Sequence, residues 1–471
     1  MPLVAGVDSS TQSTKVEIRD LDSGELVAHG HAAHPATQPP RSEQNPHSWW
    51  SAFESAWAAA GSPNVAGISV AGQQHGMVTL DANREVIRPA KLWNDTESAP
   101  DSAWLLKQLP GGAADWAAAC GSVPVAAFTV TKLSWLHRSE PGAWERLAHV
   151  MLPHDWMTLQ LTGQLVTDRG DASGTGYWSA ATGEYCHDLL AIVDRERDWS
   201  TALPRVLGPL EVAGEWHGAK VAPGTGDNMA GALGIGLRPG DVVISLGTSG
   251  TVYTVSDRPT NDPSGAVAGF ADASGHFLPL VCTLNATKVT DTIGRLLGVD
   301  HQGLDALALS ADPGAGGITL LAYLDGERTP NRPKATGVLG GLRSDATREQ
   351  LARAAFEGVA CGMLDALDSL RAVAPADGRV VLVGGGRRSA AYRTILADLI
   401  GSPLLTPDAD EAVATGACVQ AAAVLHQRSP AEIAAQWGLG AGRMVEPGPG
   451  AAAAADIRGR YGVMRDATGA W

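Results

Sequence analysis

Val4-Ala5-Gly6-Val7-Asp8-Ser9-Ser10-Thr11-Gln12-Ser13-Thr14-Lys15-Val16-Glu17-Ile18 opens the chain with an apolar strand, a turn of hydroxyl side chains and a second strand in which Val16 and Ile18 alternate with Glu17. Strand, Ser/Thr turn and strand predict a hairpin. Its tip offers backbone N–H groups, hydroxyls and Lys15, all donors that suit phosphate oxygens. An ordinary polar hairpin has the same composition, and the Gly-rich spacing of a Walker loop is missing. The device recurs at mid-chain. Residues 242–246 read as a strand, Gly247-Thr248-Ser249-Gly250 as a turn and 251–255 as the return strand. Two such units half a chain apart fit a duplicated α/β domain, although two hairpins can also resemble one another by chance.

Just before the second hairpin stands Gly224-Thr225-Gly226-Asp227-Asn228-Met229-Ala230-Gly231-Ala232-Leu233-Gly234. One acid sits in a bed of small residues. The glycines allow close approach by another molecule, and the run after the acid reads as a tightly packed helix start. A carboxylate there can take a proton from a bound hydroxyl while the helix N-terminus favours a nearby phosphate. The plainer reading makes Asp227 a helix cap only.

The chain has 471 residues, enough for two or three domains, and 44% are hydrophobic, which describes a globular protein rather than a disordered one. Lys and Arg number 35 against 50 Asp and Glu, for a formal net charge of −15. That balance argues against general nucleic-acid affinity and against anchoring on an anionic membrane. Five scattered cysteines include no Cys-x-x-Cys pair, so neither a disulfide framework nor a zinc knuckle is indicated. The start lacks the features of a signal peptide, and no run approaches the ~20 apolar residues of a membrane span. A cytoplasmic location is expected.

Trp49, Trp50, Phe53 and Trp57 mark a helix face after Asn45-Pro46. Residues 65–70 read as a buried strand running into Gly72-Gln73-Gln74-His75-Gly76. Gln and His at the C-terminal end of a strand suit a polyhydroxylated ligand, though a lone His is more often structural. Leu92-Trp93-Asn94-Asp95 and the segment 166–175 are further polar clusters that turn chemistry alone could explain. Residues 208–222 lack periodicity and are read as the domain boundary. Thr347 with Gln350 has capping-box spacing before a long helix. Val380–Val383, Gly384-Gly385-Gly386 and a helix over 390–399 form a strand, Gly-rich turn and helix, an arrangement that binds nucleotides or simply turns tightly. An Ala-rich helix follows over 411–425.

Taken together, these clusters resemble the FGGY carbohydrate kinases, most closely those acting on a pentulose. The matching residues include Gly6, Asp8, Thr11 and Lys15, the Gln-Gln-His loop, Leu92-Trp93-Asn94-Asp95, Lys132-Leu133-x-Trp135-Leu136, Gly226-Asp227-Asn228, Gly247-Thr248, Gly326-Glu327-Arg328-Thr329-Pro330, and the run from Gly337 to Glu357. The likeness runs over about residues 4–425. This chain has Gln74 where relatives often have Met, and its segment 284–288 is more polar.

The resemblance implies two ribonuclease-H-like domains of the actin/hexokinase-like ATPase fold around a central cleft. Residues 1–218 would mainly bind sugar and 219–471 ATP, with the tail 451–471 expected to fold back on the first domain. The implied reaction is ATP-dependent phosphorylation of D-xylulose in D-xylose catabolism. Asp227 would be the general base, and Gln74, His75, Asp227 and Asn228 would hold the ketose. Thr11, Gln12, Ser13, Lys15, Gly247, Thr248, Gly385 and Gly386 would surround ATP, and Asp8 would organise Mg²⁺. Relatives lead one to expect a homodimer. Competing readings are an FGGY kinase for ribulose, a sugar acid or glycerol, a dinucleotide-binding oxidoreductase built on Gly384-x-Gly386, and an actin-like ATPase without a sugar.

Overall fold

Leu3–Ser9 and Ser13–Asp20 form the expected antiparallel hairpin, with Asp8 opposite Lys15 and Val7 opposite Val16. The computed structural model, which describes residues 2–468, places this hairpin in one of two compact units. The first unit comprises Met1–Arg238, Asp257–Leu278 and Ala409–Gly440; the second comprises Pro239–Ser256, Pro279–Asp408 and Ala441–Trp471.

The first sheet has the order Gly214–Trp216, Ala219–Val221, Gly67–Gly72, Leu3–Ser9, Ser13–Asp20 and Leu26–Ala33. Gly67–Gly72 runs parallel to Leu3–Ser9, and the short strand Thr225–Gly226 runs parallel to Gly67–Gly72. The second sheet has the order Gly442–Val445, Leu404–Pro407, Val380–Val383, Val242–Leu246, Gly250–Thr254, Phe277–Thr283 and Val267–Ala271. Parallel and antiparallel pairings fall at the same places in both sheets. Both units are therefore ribonuclease-H-like, and the repeated hairpins are the opening strands of a repeated fold.

The central strands are buried on both faces, which is why they read as continuous apolar runs. One face of the first sheet receives the helix Pro46–Ala59, started by an Asn45 cap, whose Trp49, Phe53 and Ala56 join Val16, Ile18 and Trp156 in the core. The other receives Ala412–His426, tied to the sheet by Ser69–Gln420 at 2.5 Å and Arg19–Thr415 at 3.0 Å. That helix also packs on Asp227–Gly234 at backbone distance. A Cβ at Gly416 would stand 1.8 Å from the Ala230 carbonyl oxygen, and one at Gly234 1.8 Å from that of Ala412. The small residues after Asp227 thus serve a helix crossing that admits no side chains.

The units do not divide at residues 218/219. The expected boundary segment supplies Gly214–Trp216 and Ala219–Val221 to the first sheet, and strands of three residues are too short to show periodicity. The helix Ala412–His426 returns to the first unit from far along the chain. In the second unit, Arg348–Arg371 begins at the expected Thr347–Gln350 capping box. The tail helix Ala454–Ala467, expected to fold back on the first domain, packs instead on this long helix. Arg458 meets Asp365 at 3.0 Å and Asp368 at 2.7 Å, Arg465 meets Asp365 at 2.7 Å, and Tyr461 is buried. Among the described residues no helix is long and apolar enough to cross a membrane.

Candidate active site

Three parallel strands of the first unit end at one level. Their register sets Asp8 beside Ala71, Ser9 beside Gly72 and Gly226 beside Gly72. Asp8, Gln73-Gln74-His75 and Asp227 therefore emerge together at the C-terminal edge of the sheet, where open α/β sheets place their ligands. Asp227 is the first residue of its helix; Gly226 is the cap position and makes no side-chain cap bond. The acid thus stands one residue inside the cap position that the plainer reading gave it. Its Oδ1 accepts from the backbone N–H of Asn228 at 2.8 Å and from Asn228 Nδ2 at 2.9 Å. Asn228 Nδ2 also donates to Gln74 Oε1 at 2.7 Å. Burial pushes the Asp227 carboxyl up to about 6, against the pull of the Asn228 hydrogen bonds.

Gln74 is buried, yet its Nε2 has no hydrogen-bond partner, and an unpaired buried amide is a donor waiting for an oxygen. His75 holds a left-handed backbone with φ of 64°. Its ring lies against Phe128 and Phe270, with centroids 4.9 and 5.5 Å away. Nδ1 donates to the Gly174 carbonyl at 2.8 Å, which fixes the orientation of the ring.

On the hairpin, Lys15 Nζ reaches Glu411 Oε2 at 2.6 Å and lies 3.8 Å from Asp8 Oδ2. Asp8 Oδ1 is buried without a partner. Burial pushes the Asp8 carboxyl up to about 7; Lys15 opposes the shift, while Asp227 and Glu411 add to it. Thr11 Oγ1 accepts from Trp93 Nε1 at 2.9 Å and donates to Gln73 Oε1 at 3.2 Å. Gln12 is exposed and Ser13 buried, and the Ser13 carbonyl closes the turn with Ser10 N at 3.0 Å.

In the second unit Gly247, Thr248, Gly385 and Gly386 line one cavity of about 730 Å³. The turns that carry them follow Val242–Leu246 and Val380–Val383, whose register sets Ser245 beside Val383. This is again the C-terminal edge of parallel strands. Gly386 lies so close to Leu246 that a Cβ would stand 2.6 Å from the Leu246 Cβ. Phe356, Tyr392 and Thr290 give the cavity an apolar side, and Asp291, Asp305, Ser389 and Arg388 a polar one. The volume is that of a small-molecule site.

The sequence profile of the FGGY family of carbohydrate kinases, N-terminal domain, matches residues 3–234, and that of the C-terminal domain matches 242–425. The chain belongs to the FGGY family of carbohydrate kinases. It is 48% identical over 457 residues to a xylulose kinase of Streptomyces coelicolor, covering 94% of this chain and 92% of that one. A xylulose kinase of Escherichia coli is 35% identical over 85% of each chain. The crystal structure of xylulose kinase from Bifidobacterium adolescentis superposes with a TM-score of 0.88 at 41% identity, covering 98% of this chain and 99% of that one. The fold is that of the actin/hexokinase-like ATPases, and the protein is a sugar kinase.

Several FGGY motifs are scaffolding in this structure. Asp95 accepts from the Ser42 backbone at 2.9 Å and pairs with the wholly buried Lys91 at 2.9 Å. Glu43, Asp95 and Glu97 approach one another closely enough to suggest a metal site. Lys91 Nζ stands within 3.3 Å of a carboxylate oxygen of each and lies over the Trp135 ring at 3.9 Å. That lysine supplies the positive charge the acids need. Lys132 Nζ is buried against the carbonyls of Ala126, Ala127 and Phe128, which fixes the turn leading to Phe128 under His75. Asn285, in the segment that departs from relatives, is fully engaged: it donates to the Gly326 carbonyl at 2.8 Å and Glu327 at 2.9 Å and accepts from Leu324 N at 3.1 Å.

Sequence reasoning did not find Glu411, Phe128 or Phe270 at the site, and it marked Trp93 only as part of a polar cluster. Glu411 lies 396 residues from its partner Lys15, and no local pattern marks such a pair.

Proposed function

We propose that this FGGY kinase transfers the γ-phosphoryl group of ATP to the terminal hydroxyl of D-xylulose, giving D-xylulose 5-phosphate and ADP in D-xylose catabolism. The observation that carries this reading is the hydrogen-bonded row Gln74–Asn228–Asp227 at the strand ends. It combines a carboxylate with oriented amides, which a polyhydroxylated substrate needs and a sugar-free ATPase does not. The names of the relatives supply the pentulose.

Asp227 accepts the hydroxyl proton as general base while the sugar oxygen forms its bond to the γ-phosphorus and the bond to the β–γ bridging oxygen breaks. Gln74 Nε2, His75 and Asn228 orient the ketose. In the first unit Thr11, Gln12, Ser13 and Lys15 offer donors suited to phosphate oxygens; in the second, Gly247, Thr248, Gly385 and Gly386 line the cavity suited to the nucleotide. Asp8 fits Mg²⁺, because its buried Oδ1 has no partner among the described residues and Asp227 and Glu411 lie near it, although Lys15 already meets its Oδ2 at 3.8 Å. Such an ion usually keeps several waters and would neutralise phosphate charge.

ADP release with Mg-ATP against D-xylulose, D-ribulose, L-ribulose and glycerol tests the reading. D-xylulose should give the highest kcat/KM. A higher value with another compound overturns the substrate, and sugar-independent turnover overturns the kinase chemistry at this site.

A further inference from the structure

Beneath the strand ends lies a buried ionic cluster that the proposed reaction does not use. His154, Asp155 and Asp171 are wholly buried and Asp168 nearly so. His154 Nε2 stands 3.1 Å from Asp155, 3.4 Å from Asp168 and 3.5 Å from Asp171. Both carboxylate oxygens of Asp171 are without a hydrogen-bond partner. The ring fits because two residues beside it are glycine, Gly72 at a strand end and Gly224 just before the strand Thr225–Gly226. A Cβ at Gly72 would stand 2.9 Å from the His154 Cβ, and one at Gly224 2.7 Å from its Nδ1.

The cluster reaches the proposed site by two hydrogen bonds from one segment. Asp168 accepts from Gly170 N at 2.8 Å and Asp171 N at 2.9 Å, and also from Thr225 Oγ1 at 2.7 Å, two residues before Asp227. Six residues along, the Gly174 carbonyl accepts a hydrogen bond from His75 Nδ1 at 2.8 Å. The segment is docked from its other side by Ser173 Oγ, which accepts from Ala271 N at 2.9 Å, and by Arg169, which donates to the His276 carbonyl at 2.6 Å. The polar stretch 166–175, which the sequence left as possible turn chemistry, therefore bridges the strand of Asp227 and the ring of His75.

We propose that His154 is a positioning residue for phosphoryl transfer: as a cation between Asp155, Asp168 and Asp171 it holds this segment so that Asp168 aligns Thr225 and Asp227 while Gly174 aligns His75. The proposal rests on the roles given above to Asp227 and His75. Burial works against charge on the imidazole, but Asp155, Asp168 and Asp171 outweigh it and push the group up to about 9; burial likewise pushes Asp155 up to about 6 and Asp171 well above the usual carboxylate range, and the His154 charge is what opposes both shifts. Tyr177 and Tyr185 also face these acids and are held protonated by burial. Without the cation, a buried carboxylate is left uncompensated, which proteins tolerate poorly.

The test compares His154→Gln with the double variant His154→Gln/Asp171→Asn. His154→Gln should lower kcat for D-xylulose at least tenfold and leave KM for ATP within twofold. Adding Asp171→Asn removes the stranded charge and should recover at least threefold of the lost kcat. A histidine that merely fills space gives the opposite sign, because a second core change adds damage. A kcat for His154→Gln within twofold of the unaltered protein, or a double variant no faster than the single, overturns the proposal. If His154→Gln does not fold, ¹⁵N-histidine spectra of the unaltered protein decide. One of its 13 histidines should keep both ring protons at pH 8, and no such signal refutes the cation. Turnover of the unaltered protein with D-xylulose, measured in the same assay, tests the substrate reading separately.

Discussion

Replacing Asp227 by asparagine keeps the size of the side chain and removes its capacity to take a proton. Asn Oδ1 can still accept from the Asn228 backbone and side chain, at the positions now 2.8 and 2.9 Å away. The fold should persist. The sign of the stability change follows from the raised carboxyl: a group held at about 6 instead of 3.8 disfavours the folded state once ionised. The variant should therefore be no less stable than the unaltered protein at pH 7.5. Loss of a positioned base costs about 10²- to 10⁴-fold in kcat, so Asp227→Asn should fall by at least a hundredfold. In the unaltered protein the base must be ionised. With a carboxyl at about 6, about 97% is ionised at pH 7.5 and about 24% at pH 5.5, so kcat/KM should fall at least about fourfold between them, with a further loss as Asp8, held at about 7, takes up its own proton. Coupled ADP-release kinetics across pH 5–8.5, with circular dichroism to confirm folding, provide both measurements. A folded Asp227→Asn protein retaining more than a tenth of kcat would refute the base.

Glu411→Gln removes the charge that holds Lys15 Nζ at 2.6 Å. KM for ATP should rise severalfold, while stability changes by no more than about 1 kcal/mol because the pair is partly exposed; an unchanged KM would free Lys15 from the phosphate role. Gly386→Ala forces a Cβ to within 2.6 Å of Leu246, an overpacking worth about 1–3 kcal/mol. It should weaken nucleotide-dependent thermal stabilisation, and full stabilisation by ATP would remove Gly386 from the nucleotide site. Thr347→Ala loses the capping box with Gln350 at a cost of about 1 kcal/mol. The urea midpoint should drop without change in kcat, and an unmoved midpoint would show that the cap is dispensable.

Much of this fold was legible locally. The two hairpins, the helix face of Trp49 and Phe53, the Thr347 cap and the glycine turn after Val383 are written in periods and turn residues a few positions long, and the structure has them where the sequence put them. The domain limits were not, because the strands Gly214–Trp216 and Ala219–Val221 are too short for a period. The helix Ala412–His426 is mostly small and apolar on every side and almost wholly buried, and little in such a sequence names the sheet it covers. The tail was misplaced for a related reason: its partner is chosen by Asp365, which Arg458 and Arg465 meet about a hundred residues away.

The sequence by itself determined that Asp8, Gln74, His75 and Asp227 each stand at the end of a strand or the start of a helix, since that is local backbone chemistry. Only the tertiary structure decided that three of those strand ends share one level, that Glu411 holds Lys15 across 396 residues, and that Lys91 fills a cluster of acids. It also decided that His154 lies beneath the strand that leads to Asp227. Local propensity is set by neighbours in the chain, whereas strand register and buried charge balance are set by neighbours in space.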